Sequence, residues 1–202
     1  NMVEATIVKV NETYGFATPV EEGKDDIFIP GRFMMGGLVG DTVLIEVSPS
    51  SKGDSSEGKV KQIISQSNQP FAATVIEDER GRWQLMPDTY TKFAFEIDRQ
   101  DSLKAKPGDK VLAVISHRGN SHFAHKASIT QVFGDANYAW VSAEAILAEQ
   151  GISTVFPEEV KRQAKDIQKN PLHPKEVEVR TDLRDWPIFT IDGADTKDID
   201  DA

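Results

Sequence analysis

Carboxylates crowd the end of the sequence. Between positions 190 and 202 the aspartates are Asp192, Asp195, Asp198, Asp200 and Asp201. Like charges this close repel one another, so the cluster is costly unless cations occupy it. Magnesium takes hard oxygen ligands and binds through a few carboxylates plus substrate phosphate. Two such ions, about 3.5–4 Å apart, can clamp the attacking and leaving oxygens when a phosphodiester is hydrolysed.

Other interpretations of this acidic segment have to be weighed. A run of charge is most often a solvated surface. A calcium loop of the EF-hand type needs alternating acids, a glycine at its sixth position and a distal glutamate. The spacing from Asp192 to Asp201 does not supply that pattern. On the residues alone, a metal site and a solvated surface both remain open.

Aromatic side chains near the N-terminus form a second candidate site. Tyr14 and Phe16 alternate around Gly15, so a strand would place both rings on one face. Unpaired bases stack on exposed rings, and a nearby cation holds the nucleic-acid backbone. We therefore predict an RNA-binding surface, with ordinary barrel core as the alternative for its rings. Its predicted members are Lys9, Tyr14, Phe16, Phe28 and Arg32.

The middle of the chain offers two weaker candidates. One is a similar aromatic face, although we expect some of its rings to lie in the core. Its members would be Arg82, Trp83, Lys92, Phe93 and Phe95. The other is a group of histidines that are close in sequence, namely His117, His122 and His125. A metal site also needs suitable geometry, so exposed or strand-paired histidines are the simpler explanation.

Short strands separated by turn residues would position the first aromatic group. We predict strands at 3–10, 14–18, 27–29, 42–47 and 58–64, with a Ser/Gly-rich loop at 48–57. Five strands within about seventy residues have the size of a small Greek-key barrel such as the OB-fold.

An internal repeat predicts a second barrel. The sequence Gly-Asp-Thr-Val-Leu at 40–44 returns as Gly-Asp-Lys-Val-Leu at 108–112. Further strands are predicted at 71–76, 82–86, 93–97, 110–116 and 122–133. The repeat favours two homologous barrels in tandem over one larger β-domain.

Helical spacing replaces the strand pattern after Asp135. A helix is predicted at 139–150, and Gly151 suits the position just after a helix end. A second helix opens at Pro157 and stops at Asn170-Pro171. A short strand at 188–192 then leads into the acidic segment.

Composition limits the function classes. The net charge is −10, which counts against nucleic-acid binding because such proteins usually carry a basic footprint. Much of the imbalance lies in residues 136–202, which carry eight basic and fourteen acidic side chains. The absence of cysteine excludes disulfides and fits a cytoplasmic location. No apolar run could span a bilayer, and no signal peptide begins the sequence.

Three segments resemble known motifs. Residues 9–17 and 26–30 resemble the two ribonucleoprotein-like motifs of a cold-shock domain, although Pro30 stands where free-standing cold-shock proteins usually have histidine. The acidic segment, preceded by Asp-Leu-Arg-Asp at 182–185, resembles the opening motif of the catalytic domain in the ribonuclease R and ribonuclease II family. The resemblance covers essentially the whole chain, in the order of that family.

The resemblance implies a fold and a metal site. The fold would be mainly β: two tandem OB-fold, cold-shock-type, five-stranded barrels, a short helical linker and the first strand of a truncated catalytic domain. The implied boundaries are 1–68, 69–135, 136–180 and 181–202. Magnesium or manganese would be the cofactor, and Asp200 would matter most for catalysis. The implied metal ligands are Asp192, Asp198, Asp200 and Asp201.

The resemblance also implies an activity. The parent protein would be a processive 3′-to-5′ exoribonuclease that releases nucleoside 5′-monophosphates from single-stranded RNA. We expect a monomer with no membrane or DNA partner, and we expect this chain, as an N-terminal piece, to be inactive by itself. Two rival hypotheses are a stand-alone tandem cold-shock module that binds RNA or acts as an RNA chaperone, and an OB module that binds proteins.

Overall fold

The chain folds largely as β-structure. The computed structural model describes residues 1–49, 56–98, 103–121, 124–169 and 174–198. Within these residues there are ten β-strands and three α-helices. The strands form two closed five-stranded barrels. The predicted tandem arrangement of OB-type barrels is therefore confirmed.

The first barrel closes through one parallel contact. Its strands follow the order β1-β2-β3-β5-β4, and only the pairing of β3 with β5 is parallel among the described pairings. A 3₁₀ turn, Gly31–Phe33, follows β3. Inward-facing aliphatic residues such as Ile7, Ile29 and Ile45 are fully buried, as the two-residue period of a strand requires. The strands are Met2–Val10 (β1), Tyr14–Pro19 (β2), Ile27–Pro30 (β3), Thr42–Pro49 (β4) and Ser56–Ser65 (β5).

The second barrel repeats this topology. Its order is β10-β8-β7-β6-β9, again closed by a parallel pairing, here between β8 and β10. Aromatic rings fill more of its interior, and the rings of Phe71 and Tyr90 stack with centroids 4.8 Å apart. The strands are Phe71–Glu77 (β6), Trp83–Pro87 (β7), Phe95–Ile97 (β8), Asp109–His117 (β9) and Lys126–Asp135 (β10).

The repeated Gly-Asp pair forms the same turn in both barrels. Gly40 and Gly108 have φ angles of 88° and 93°, a region that favours glycine. Each of these glycines donates its N–H to the first strand of its own barrel, at 2.8 Å in both cases. Asp41 and Asp109 are buried, and each carboxylate accepts the N–H of the residue three positions earlier. The internal sequence repeat therefore corresponds to the same turn with the same hydrogen bonds in both barrels.

A buried ion pair joins the two barrels. The carboxylate of Asp41 is fully buried, and the guanidinium of Arg118, at the end of the second barrel's β9, binds it at 2.8 and 3.0 Å. Arg118 also donates to the carbonyl of Ser67 at 2.6 Å. Close by, Gly36 is so near the backbone of Gly119 that a Cβ there would clash. We call the Asp41–Arg118 contact the inter-barrel ion pair.

The first helix packs on the second barrel. Helix α1, Ala139–Glu149, contacts β6, β9 and β10, and Val141 and Ala145 are its buried residues. Gly151 follows with a φ of 70°, so the predicted helix and its glycine are confirmed. The chain divides into two compact units, 1–154 and 155–202. Helix α1 thus belongs with the barrels, whereas the sequence had placed it in a linker at 136–180.

The second unit contains helices but no described strand. Helix α2 is Glu158–Lys169 and helix α3 is Pro174–Glu178. The strand predicted at 188–192 is wrong: within the described residues 174–198 no strand occurs. A strand needs a neighbour to accept and donate its backbone hydrogen bonds, and no described segment pairs with this one. Among the described helices, none is long and apolar enough to cross a membrane.

Tyr90 carries a pH-dependent contribution to stability. Its ring is buried, and among the described residues its hydroxyl has no hydrogen-bond partner. Burial raises the pKa of Tyr90 to about 12, while Arg118 lowers this pKa and Asp41 raises it. Because the folded-state pKa lies above the ordinary value of 10.0, the folded protein binds the phenol proton more tightly than the unfolded chain does. The protein is therefore more stable when Tyr90 is neutral than when it is ionised. That contribution is complete below about pH 10 and is lost as the pH rises through about 12.

Replacing Tyr90 by phenylalanine should therefore stabilise the protein. At neutral pH we expect a gain of about 1 kcal/mol, because a buried hydroxyl without a partner is costly. The gain should increase above about pH 10, where only the wild type loses the contribution of the phenol. Urea unfolding of both proteins over a pH series measures this. Stability curves that stay parallel up to about pH 12 would show that Tyr90 is not the group responsible.

Candidate nucleic-acid interface

Three aromatic rings cluster on the outer face of the first barrel. Tyr14 and Phe16 lie on β2, and Phe28 lies opposite Phe16 on β3. The ring centroids are 5.6 to 5.7 Å apart in all three pairs. All three side chains are half-buried, whereas the alternate residues Gly15 and Ala17 face the core. We call these three rings the aromatic platform; the structure brings them together as the alternation predicts.

A β-bulge places Lys9 beside the platform. The pairing of β1 with β2 shifts register between Ile7 and Lys9, so that Lys9 lies opposite Phe16. Without this register shift, the exposed Val8 would lie opposite Phe16, and Lys9 would lie opposite the inward-facing Gly15. The exposed ammonium group of Lys9 therefore borders the platform on its β1 side.

Two more cations lie on the other side of the platform. Arg32 is exposed, and its guanidinium carbon is 4.7 Å from the centre of the Phe33 ring. The Lys59 ammonium lies 5.3 Å from the same ring. Phe28 pairs with Glu57 on the parallel strand β5, so Lys59, two residues further, shares the outer face. This arrangement places cations on both sides of the platform, with the acid Glu57 next to Phe28 on the β5 side.

Sequence reasoning missed Phe33 and Lys59. The available signal for Lys59 was the alternation Lys59-Val60-Lys61, which predicts two outward lysines around one buried valine. No comparable signal marked Phe33, because its place depends on the 3₁₀ turn after β3. Arg32, which was predicted, and Phe33 thus reach the interface through the same turn.

Close packing leaves room only for glycine between the two rings of β2. A Cβ on Gly15 would lie 2.7 Å from the Met34 sulfur and 2.9 Å from the Lys9 carbonyl oxygen. The Met34 side chain could move. The Lys9 carbonyl is part of the β1 backbone, so it could move only if β1 itself shifted. Gly15 therefore permits the close approach of β1 and β2 beneath the platform.

The second barrel does not repeat the platform. The glycine of the Gly-Asp turn donates to Ile7 in the first barrel and to Val75 in the second, so these two residues are equivalent. Counting along the paired strands from them, Gln84 and Glu96 occupy the positions that Phe16 and Phe28 occupy in the first barrel. Glu96 also forms an ion pair with Lys126 at 3.1 Å. The corresponding outer face is therefore polar.

The expectation that some rings of the second-barrel face lie in the core is confirmed. Phe93 and Phe95 are buried in the core, as inward positions of a barrel with few aliphatic residues require. Trp83 is half-buried against that core, and Arg82 pairs with Asp78 at 2.8 Å. Lys92 is exposed.

The histidines do not form a metal site in the described residues. His117 is exposed, whereas His125 is buried and its Nδ1 accepts the N–H of Gly119 at 3.1 Å. His122 lies outside the described residues. Among the described residues, no group of three or more histidines and acids could hold a metal ion.

Half of the predicted acidic site can be located. Asp192 is half-buried, Asp198 is exposed, and Asp200 and Asp201 lie outside the described residues. One carboxylate oxygen of Asp192, Oδ2, is shielded from solvent and accepts no hydrogen bond from any described residue. An unpartnered carboxylate oxygen of this kind could coordinate a cation. The four carboxylates are hard oxygen donors, which magnesium prefers. The predicted metal site itself stays a prediction.

Sequence families match both barrels. A family described as the ribonuclease B OB domain matches residues 6–63, and a cold shock domain family matches residues 87–157. Ribonuclease R of Vibrio parahaemolyticus is 26% identical over 204 residues, covering 100% of this chain and 24% of that protein. Ribonuclease R 1 of Lactococcus lactis is 27% identical, covering 94% of this chain and 24% of that protein.

Solved structures share the fold. Ribonuclease R of Mycoplasma genitalium superposes with a TM-score of 0.69 at 20% identity, over 97% of this chain and 31% of that one. A yeast pseudonuclease superposes with a TM-score of 0.59 at 13% identity, over 75% of this chain and 25% of that one. Because a protein called a pseudonuclease shares this fold, the fold alone does not decide whether a protein is a nuclease.

The fold and the platform define a class: tandem OB-fold chains of the cold-shock type. The matches to both barrels and across the whole chain show that the chain is similar to ribonuclease R proteins. It spans only 24% of the length of the Vibrio and Lactococcus relatives.

Substituting Gly15 by alanine tests the packing beneath the platform. We expect a loss of about 1–3 kcal/mol in the free energy of unfolding, because the added Cβ forces β1 and β2 apart. Gly193→Ala is the control, since its Cβ would meet only the Thr196 hydroxyl at 3.5 Å. Thermal unfolding followed by circular dichroism measures both. Equal melting temperatures for Gly15→Ala and the wild type would contradict the close approach.

Proposed function

We propose that this chain is the RNA-binding barrel region of a metal-dependent, processive 3′-to-5′ exoribonuclease that releases nucleoside 5′-monophosphates. The aromatic platform with its bordering cations is the observation that carries the RNA-binding part. The acidic segment carries the hydrolytic part. A structure of Mycoplasma genitalium ribonuclease R is described as a complex with ribose-methylated single-stranded RNA, which supports RNA as the ligand here.

The chemistry of the platform favours single-stranded RNA. Three half-buried rings, centroids 5.6 to 5.7 Å apart, offer faces and edges on which unpaired bases can stack. Such stacking contributes about 1–3 kcal/mol per base and tolerates any sequence. Lys9 on one side and Arg32 with Lys59 on the other can hold phosphates of a strand that crosses the platform.

Removing the cross-strand rings should weaken RNA binding. We expect Phe16→Ala with Phe28→Ala to raise the Kd for a labelled single-stranded RNA about tenfold or more, because two stacking surfaces are lost. Fluorescence anisotropy measures the Kd over a salt series. The slope against salt should hardly change, since neither phenylalanine contacts phosphate.

The second barrel provides a matched control for this experiment. Gln84 and Glu96 occupy the positions equivalent to Phe16 and Phe28. Gln84→Ala with Glu96→Ala should leave binding unweakened, because that face has no rings to lose. If the control pair weakens binding as much as the platform pair, the RNA does not lie on the platform. If the wild type binds no RNA at low salt, the RNA-binding proposal fails.

The acidic segment would supply the metal-binding carboxylates. We propose Asp192, Asp198, Asp200 and Asp201 as its ligands, with Asp200 the most important for hydrolysis. Magnesium, or manganese in its place, would activate a water and stabilise the charge that develops on the phosphate. The side chains of the segment would hold the ion, and the barrels would hold the RNA strand that leads to it.

This chain should bind RNA without shortening it. The chain spans about a quarter of the length of its ribonuclease R relatives, and we expect residues from the remaining length to complete the hydrolytic centre. Incubation of the chain with end-labelled RNA and magnesium, followed by gel electrophoresis, should therefore leave the RNA at full length. Shortening that requires magnesium and is abolished by Asp200→Asn would contradict this expectation, because the chain would then hold a complete centre.

A second candidate function is a tandem-barrel module that binds RNA without hydrolysing it. The superposition with the yeast pseudonuclease favours this candidate. It predicts the same platform-dependent binding, but no loss of function when Asp200 is replaced in a protein that includes the remaining length of the relatives. Nuclease assays of that longer protein separate the two candidates.

A further inference from the structure

Arg118 lies on the second barrel but completes a turn of the first. Its two terminal nitrogens contact both carboxylate oxygens of Asp41. The same carboxylate accepts the N–H of Leu38 and the N–H of Ser67, each at 2.8 Å. A fully buried carboxylate needs this full set of donors, because an unpaired buried charge is strongly unfavourable. The position of the Asp41 turn therefore depends on Arg118.

The Asp41 turn holds the strand residue next to the bulge. The N–H of Ile7 donates to the Asp41 carbonyl at 2.9 Å, and the N–H of Gly40 donates to the Ile7 carbonyl at 2.8 Å. Ile7 is thus bound on both of its backbone polar groups by the turn. It is also the last residue of β1 before the register shift.

The bulge in turn sets the edge of the platform. After the shift, Lys9 lies opposite Phe16 and Val10 lies opposite Gly15. A bulge has one residue that the ladder does not fix, so its geometry depends on what holds its flanks. One flank is held by the Asp41 turn, and the other is held by the pairing with β2. Hydrogen bonds therefore lead from Arg118 through the Asp41 turn to Ile7, and the backbone continues through Val8 to Lys9, which lies opposite Phe16.

We propose that Arg118 is a positioning residue for the RNA-binding surface of the first barrel. It acts through Asp41 and Ile7 on the bulge that places Lys9 beside the platform. The inference rests on the proposed RNA binding for its functional readout. It means that the second barrel, which lacks a platform, contributes to binding by fixing the geometry of the first.

Arg118 is poorly placed to bind RNA itself. Its side chain is 14% exposed, and both terminal nitrogens are already engaged by Asp41 and Ser67. A direct phosphate contact and a positioning role differ in their salt dependence. Losing one phosphate contact lowers the slope of log Kd against log salt by about 0.7 for a single strand. If Arg118 acts only by positioning Lys9, its loss lowers the slope when Lys9 is present and leaves the slope unchanged in a Lys9→Met background.

The test compares two substitutions that each remove one cation. Arg118→Met breaks the inter-barrel ion pair, and Lys110→Met breaks a second partly buried pair. Lys110 lies on the second barrel with its side chain 8% exposed, 2.7 Å from Asp88 and 2.9 Å from the Thr74 hydroxyl. Both variants change the net charge equally, so a general charge effect would be the same in both.

The expected results differ between the two variants. Arg118→Met should raise the Kd for single-stranded RNA about fivefold or more, within the usual range of coupling between sites. Lys110→Met should leave the Kd close to that of the wild type. Arg118→Lys should also weaken binding, since an ammonium cannot bridge both oxygens of Asp41 as a guanidinium does. An equal Kd for Arg118→Met and the wild type would overturn the proposal, and so would a salt slope that Arg118→Met lowers further in a Lys9→Met background.

Nuclear magnetic resonance provides a readout without RNA. The amide signals of Lys9 and Phe16 should shift in Arg118→Met and stay in place in Lys110→Met. If the wild type fails to bind RNA, the proposed function fails, and these signals alone decide the positioning role. Unshifted signals would then overturn it. Should Arg118→Met not fold, Asp41→Asn with Arg118→Met removes both charges, and the same shifts and loss of affinity are expected.

Discussion

The fold of this chain depends on one fully buried carboxylate. Asp41 has no exposed surface, and each of its oxygens accepts one backbone N–H and one guanidinium N–H. The donors come from the turn itself, from the segment after β5 and from the second barrel. A buried charge is tolerated only when such partners surround it. Three distant parts of the chain must therefore meet at one place, which fixes the barrels relative to each other.

The two barrels share a frame and differ in what they display. The Gly-Asp turns at 40–41 and 108–109 hold the first strand of each barrel by the same hydrogen bonds. The outer faces above those frames differ, with rings at 16 and 28 in one barrel and Gln84 with Glu96 in the other. Inward positions are constrained by packing density, whereas outward positions are free to change with function.

Short-range sequence patterns predicted the features that depend only on neighbouring residues. Alternation located the ten strands and put Tyr14 and Phe16 on one face, and the glycine at 151 located the end of the first helix. Arg118 was not predicted, because its partner is 77 residues away in sequence and nothing local marks it. The strand predicted at 188–192 was wrong because a strand forms only beside a pairing partner, and local sequence does not show whether a partner is present. Whether Phe93 and Phe95 face inward likewise depends on the register of the whole barrel.

The net charge of −10 does not oppose RNA binding at the platform. Much of the acidic excess lies beyond residue 135, outside both barrels. At physiological salt the Debye length is about 8 Å, so the charges that act most strongly on a phosphate at the platform are those beside the rings. Beside the rings are Lys9 opposite Phe16, Arg32 and Lys59 near Phe33, and one acid, Glu57, opposite Phe28. Stacking does not depend on net charge, so we expect a small set of local cations to be enough to orient an RNA strand on the rings.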